Sequence, residues 1–210
     1  MNKGLLIVYS GPSAVGKDTV LNEIINDKEL NLALSVSMTT RKPRPGEKEG
    51  VEYFFVSEER FNDAIMNNEL LEYAEYVGNY YGTPRKYVES QLDAGKDVIL
   101  EIEYLGAFQV KKMMPEALLL FVTPPSAEEL YRRLVGRGTE TEEVIAGRMK
   151  RAIEEADIVD KYEYILLNDD LDTCVRETHE IIQNAKYSVK RNAEFINTIK
   201  QELFDIAKGE

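Results

Sequence analysis

Near its start the chain reads Leu5-Leu6-Ile7-Val8-Tyr9, then Ser10-Gly11-Pro12-Ser13-Ala14-Val15-Gly16-Lys17, then a segment in which Val20, Leu21, Ile24 and Ile25 recur at helical spacing. A short apolar run closed by Gly and Pro predicts a buried parallel strand. The periodic segment, from about Gly16 to Asn26, predicts a helix with one face on the sheet. Residues Gly11 to Lys17 fit the spacing G-x-x-x-x-G-K, and they fit it between a strand and a helix, where that spacing has physical meaning. Glycines let backbone N–H groups wrap a phosphate, the helix N-terminus adds a positive dipole end, and Lys17 can neutralise a transferring phosphoryl group. Gly11, Pro12, Ser13, Ala14, Val15, Gly16 and Lys17 are therefore read as the holder of ATP phosphates. The next position normally offers a Ser or Thr hydroxyl to Mg²⁺. Here it is Asp18, followed by Thr19. Three arrangements stay open: Asp18 coordinates the ion directly or through water, Thr19 substitutes, or ATP oxygens hold it.

Beyond this opening, Val98–Ile102, Leu118–Val122 and Tyr164–Leu167 read as further buried strands separated by helical stretches. The alternation predicts an α/β fold with a parallel sheet and right-handed crossovers. From Asn31 to Gly95 the composition shifts. Leu34 to Met38 reads as a strand, Pro43, Pro45, Gly46 and Gly50 break regularity, and Tyr53 to Val56 resumes it. Glu58 to Asn67 reads as a helix, and Leu70 to Val77 with Tyr80-Tyr81 as strands joined at Gly78-Asn79. This is an inserted small lobe. Ser126 to Asp160 is helix-like and rich in arginine and glutamate, the composition of a lid. The division expected is a core of 1–36, 84–125 and 161–210, a lobe of 37–83 and a lid of 126–160. The tail from Asp172 reads as a polar, solvated helix, in which His179 has no evident chemical neighbour.

The 210 residues suffice for one such core. A net charge of −12 excludes non-specific binding to nucleic acid or an anionic membrane, either of which needs a basic face. No apolar run approaches the roughly 20 residues that span a bilayer, and the N-terminus lacks a signal core, so a cytoplasmic protein is expected. The single cysteine, Cys174, leaves no internal disulfide or multi-cysteine metal cluster and reads as a small buried residue. No obligate protein partner is evident.

The acceptor of the phosphoryl group has to be read elsewhere. The string Ser35-Val36-Ser37-Met38-Thr39-Thr40-Arg41-Lys42-Pro43-Arg44-Pro45-Gly46-Glu47, then Gly50-Val51-Glu52-Tyr53-Phe54-Phe55, closely resembles the acceptor segment of guanylate kinases. With Asn79-Tyr80-Tyr81-Gly82-Thr83 and Gly136-Arg137-Gly138-Thr139-Glu140-Thr141, the resemblance covers roughly residues 4 to 185. It implies a phosphate-loop nucleotide-kinase fold, ATP and GMP as substrates (with dGMP), Mg²⁺, and a place in guanine nucleotide synthesis and recycling.

The chemistry of the residues agrees with what the resemblance implies. Arg41 and Arg44 can make forked, charge-assisted hydrogen bonds to a monophosphate, and Tyr53 and Tyr81 can add hydroxyl donors. By resemblance, Glu72 accepts from guanine N1–H and the exocyclic amine, while Ser37 and Thr83 donate to O6. Adenine would leave these buried groups unpaired. Glu101 and Glu103 stand at alternate positions after a strand and so point to one side of the sheet. By resemblance Glu103 helps seat the acceptor and Glu101 lies near the metal and phosphates; plain carboxylates capping the strand are the alternative. Arg137 and Arg148 match positions that reach across ATP, and Asn168 matches a segment near its adenine, where a turn residue is the competing reading. Two other functions stand beside this one. A scaffold domain without activity is opposed by the intact Gly16, Lys17, Arg41 and Arg137, and a sugar-phosphate kinase by Ser37, Glu72 and Thr83.

Overall fold

The computed structural model describes residues 3–136, 138 and 141–208. At its centre lies β1 (Leu6–Ser10), an uninterrupted run of buried residues. Side chains of a strand alternate between faces, and here they feed two separate cores. Leu5, Ile7 and Tyr9 join one cluster with Val20, Leu21 and Ile24 of α1 (Lys17–Ile24), whereas Leu6 and Val8 join the other, with Val88, Leu92, Ala107 and Val110. A strand buried on both faces is what a continuous apolar run encodes.

Around β1 the sheet is parallel throughout. Its neighbours are β7 (Asp97–Glu101) and β8 (Leu118–Thr123), with β2 (Leu32–Leu34) and β9 (Tyr164–Leu167) at the edges, in the order β2-β7-β1-β8-β9. Crossover helices cover the faces: α3 (Arg85–Asp93) and α4 (Tyr104–Met113) on one side, α1 and α7 (Leu171–Ala185) on the other. This is the α/β class expected from the alternation of strands and helices.

A second sheet runs β4-β3-β6-β5, built from β3 (Ser37–Thr39), β4 (Tyr53–Phe55), β5 (Leu70–Tyr76) and β6 (Asn79–Pro84). Only β3 and β4 pair parallel. With α2 (Glu58–Met66) it encloses its own cluster of Met38, Phe61, Ala64 and Leu70. The strand expected over Leu34 to Met38 is in fact two. The Ser35 N–H still donates to Ile99 O at 2.9 Å, after which the chain leaves the first sheet and enters the second at Ser37. An apolar run cannot reveal that its two ends pair with different sheets. The β5–β6 hairpin turns through Val77 and Gly78, both at positive φ, one residue before the expected Gly78-Asn79; such two-residue turns match the strand twist. The exposed side of β5 is sealed by Gln109 of α4, whose side-chain amide accepts from Tyr73 N–H at 3.2 Å and donates to Tyr73 O at 3.3 Å. It stands in for a neighbouring strand at an edge that would otherwise be open.

Between β8 and β9, α5 (Ala127–Gly136) and α6 (Glu142–Ala156) form a helical pair joined by Leu130, Leu134 and Ile145. A short 3-10 turn, Val159–Lys161, follows. The tail differs from the solvated helix that its polarity predicts. Cys174, Thr178 and Ile182 of α7 are buried against α1 and the central sheet. His179 has partners after all, with Nδ1 at 2.6 Å from Asp27 Oδ2 and Nε2 at 3.5 Å from Glu29 Oε2. Beyond it, α8 (Ala193–Lys208) has no buried residue. None of the described helices is long and apolar enough to cross a membrane.

Candidate active site

The loop between β1 and α1 is curved by backbone conformations that few residues tolerate. Gly11 lies at φ +148°, where any Cβ would stand 2.2 Å from the Val122 carbonyl, Ala14 lies at +68° and Gly16 at +96°. Val15, fully buried in the core, anchors the middle. Lys17 curls over the loop, its ammonium donating to Gly11 O at 2.7 Å and Pro12 O at 3.1 Å. Burial holds its pKa below the ordinary lysine value, against the pull of Glu101 and Glu155.

Carboxylates surround this lysine. Burial first, and then Asp18 beside it, push Glu101 up to about 7. Glu155 of α6 is only 4% exposed and is likewise pushed up to about 7 by burial; its Oε2 has no hydrogen-bond partner among the described residues. Glu103 precedes α4 and accepts from Arg151 Nη2 at 2.9 Å, while the same guanidinium donates to Glu154 and lies 4.5 Å from the centre of the Tyr104 ring. Arg148 Nη1 donates to Ser13 Oγ. Gly11, Ser13, Ala14, Gly16, Lys17, Asp18, Glu101, Glu103 and Arg148 thus line one cleft of about 670 Å³, shared with Glu75, Tyr76, Arg151 and Glu155. Thr19 is exposed on α1, and Arg137 lies outside the described residues.

Across the cleft, the second sheet carries the remaining candidates. Glu72 of β5 is 6% exposed; Thr83 Oγ1 donates to its Oε1 at 2.6 Å, and burial pushes it up to about 7. Its other oxygen rests against Gly106, where an added Cβ would stand 2.8 Å away. Gly106 follows Glu103-Tyr104-Leu105 in the first turn of α4, and its smallness makes room for the carboxylate. Arg41 is held in a fork by Glu47, donating to Oε1 at 2.8 Å and to Oε2 at 3.0 Å, and its guanidinium lies 5.3 Å from the centre of the Tyr53 ring. The Arg44 N–H donates to Glu47 as well, at 2.7 Å, and Tyr53 meets Tyr81 edge-on at 5.8 Å. Ser37 pairs with Tyr53 in the sheet register.

Asn168, at the end of β9, is 7% exposed and donates from Nδ2 to Val15 O at 2.8 Å. It is neither a plain turn residue nor exposed. Sequence reasoning assigned nothing to Glu47, Gly106, Arg151 or Glu155, nor to Arg133, which donates to Val15 O at 3.1 Å. Glu47 closes the same motif, three positions after Arg44, which was the available signal; the others meet their partners only through the fold.

A parallel sheet whose central strand opens a strand–glycine-rich loop–helix unit, with carboxylates at the carboxyl end of the adjacent strand, defines a phosphate-loop nucleotide-binding protein. The guanylate kinase family model matches residues 3–185. The chain is 52% identical over 189 residues to a guanylate kinase of Streptococcus thermophilus, covering 90% of each, and 49% identical over 201 residues to one of Bacillus cereus, covering 96% of this chain and 98% of that one. The crystal structure of guanylate kinase from Anaplasma phagocytophilum is similar at a TM-score of 0.70 and 34% identity, covering 90% of each chain. The chain belongs to the guanylate kinase family.

Proposed function

We propose that this protein transfers the γ-phosphoryl group of ATP to GMP, and to dGMP, yielding ADP and GDP for guanine nucleotide synthesis and recycling in the cytoplasm. The observation that carries the reading is Glu72, a buried carboxylate paired with Thr83 on the sheet facing the phosphate loop. When ionised it presents two acceptor oxygens to a base edge with two N–H donors, which guanine has and adenine lacks. Residues 37–83 act as the acceptor lobe, 126–160 as the lid, and the remainder as the core.

Phosphoryl transfer asks for positioning and charge neutralisation more than for covalent chemistry. The loop from Gly11 to Lys17, through its backbone N–H groups (Pro12 has none), receives the ATP phosphates together with Asp18 and Thr19 at the start of α1. Lys17 leaves its loop carbonyls for them. Arg41 and Arg44, with Tyr53 and Tyr81, hold the GMP phosphate, and Ser37 donates to O6 of the base, joined by Thr83 once its hydroxyl proton turns from Glu72 to the base. Glu47 keeps the Arg41 fork extended before the substrate arrives and competes with the phosphate for it. Arg137 and Arg148 offset the charge that develops on the transferring group. Glu103, occupied by Arg151, is assigned to joining lid and core rather than to seating GMP.

The donor set suits magnesium, which takes hard oxygen ligands, keeps several waters and leans on substrate phosphates. Asp18 and Glu101 lie together beside Lys17, and no group of three or more His, Cys, Asp or Glu among the described residues forms a cage by itself. Asp18 and Glu101, with the ATP phosphates themselves, would hold such an ion, which would supply charge neutralisation to the transferring group.

A coupled ADP assay with ATP and GMP, dGMP, AMP or ribose bisphosphate as acceptor tests the proposal. GMP and dGMP should exceed AMP by at least about 10³-fold in kcat/KM. No ADP with any acceptor would indicate a scaffold domain, and turnover with the sugar phosphate would move the acceptor assignment. Lys17→Ala should abolish turnover while leaving the circular dichroism spectrum unchanged.

A further inference from the structure

We infer that Asn168 and Arg133, the latter oriented by Glu129, are positioning residues for the triphosphate: they staple the Val15 carbonyl and thereby aim the Gly16 N–H into the cleft. The inference rests on the phosphate-loop reading above and concerns the triphosphate rather than the adenine base with which Asn168 is associated by resemblance.

Four hydrogen bonds define the staple. Asn168 Nδ2 and Arg133 Nη1 both donate to Val15 O, at 2.8 and 3.1 Å. Arg133 Nη2 donates to Asn168 O at 3.0 Å, and Nε donates to Glu129 Oε1 at 2.7 Å. One carbonyl of the loop is therefore tied at once to the end of β9 and to α5. A trans peptide is planar, so the C=O of Val15 and the N–H of Gly16 point in opposite directions. Fixing the first toward Asn168 and Arg133 directs the second to the other side, where Gly16 borders the cleft beside Lys17 and Asp18. The loop needs such a restraint. Ala14, not a glycine, sits at φ +68°, and Gly16 sits at +96°. Conformations of this kind persist only where surroundings over-determine them. Asn168 also closes the alternative from the other side, because its Nδ2 stands 2.5 Å from where a Cβ on residue 16 would be. Arg133 cannot be replaced by lysine in this role, since only a planar guanidinium reaches two carbonyls and a carboxylate from one head.

The test separates phosphate from base. Binding of inorganic tripolyphosphate, ATP and adenosine is measured by calorimetry for the wild-type protein, Asn168→Ala and Arg133→Lys, with KM for ATP and GMP alongside. Tripolyphosphate and ATP affinities should fall together by about tenfold or more in both variants, with adenosine affinity and the KM for GMP unchanged. Tripolyphosphate affinity retained by both variants would overturn the staple, and a loss confined to ATP and adenosine would return Asn168 to the base. Unchanged GMP affinity reports an intact fold; should Asn168→Ala fail that check, Arg133→Lys decides alone. A wild-type protein that binds tripolyphosphate but phosphorylates no GMP would overturn the proposed acceptor while the staple is still judged by the two variants.

Discussion

At the scale of single residues, the most informative group is Glu72, because its environment and its task oppose each other. Burial favours the neutral acid and pushes it up to about 7, while the Thr83 hydroxyl and N–H favour the carboxylate. A carboxyl whose folded pKa is raised contributes stability below its ordinary value of 4.5 and loses that contribution as pH climbs to about 7. Guanine needs the ionised form, so GMP binding must expel the proton. The KM for GMP should rise as pH falls below about 7, approaching tenfold per unit, beyond what the GMP phosphate contributes through its own titration. Glu72→Gln should remove the extra slope and keep the phosphate part; a wild-type profile no steeper than the variant's would refute the assignment. Sequence made Glu72 legible only through its neighbours in the motif. Gly106 was not legible at all, since its smallness matters through Glu72, 34 positions away in the chain by the numbering.

At the scale of elements, most strands and helices could be read from apolar runs and periodicity, because β1, β7 and β8 are buried on both faces and carry no alternation to misread, whereas α3 and the short edge strand β2 were not read. The failures occurred where partners decide. Leu34 to Met38 is one apolar run serving two sheets, and α7 reads as polar although Cys174, Thr178 and Ile182 line its buried stripe. The small sheet holds its own core around Phe61, which is fully buried and stacks on Tyr80 at 5.5 Å. Phe61→Ala should therefore cost about 3–5 kcal/mol locally. Amide exchange followed by mass spectrometry is expected to quicken first in Ser37–Pro84, with β1, β7 and β8 protected; uniform quickening would mean that the two cores unfold as one. KM for GMP should suffer more than KM for ATP.

At the scale of the whole molecule, α5 and α6, the proposed lid, touch the phosphate loop through Ala14 packed on Leu130, Leu134 and Ile145 and through Arg148 on Ser13. On the proposed division of lobe and lid, closure falls mainly to residues 37–83. Solution scattering with GMP and a non-hydrolysable ATP analogue should show a smaller radius of gyration than the free protein, and unchanged dimensions would count against a moving lobe. The chain passes between the two sheets at two places, near Ser35-Val36 and at Pro84-Arg85, yet β5 is also sealed by Gln109 and Glu72 is accommodated by Gly106, both on α4. A transplant of the lobe cut only at those two crossings would leave behind the surrogate strand that finishes its sheet. Evolution or a protein engineer exchanging one acceptor preference for another has to move a discontinuous module, with α4 travelling alongside the insert as its matching half.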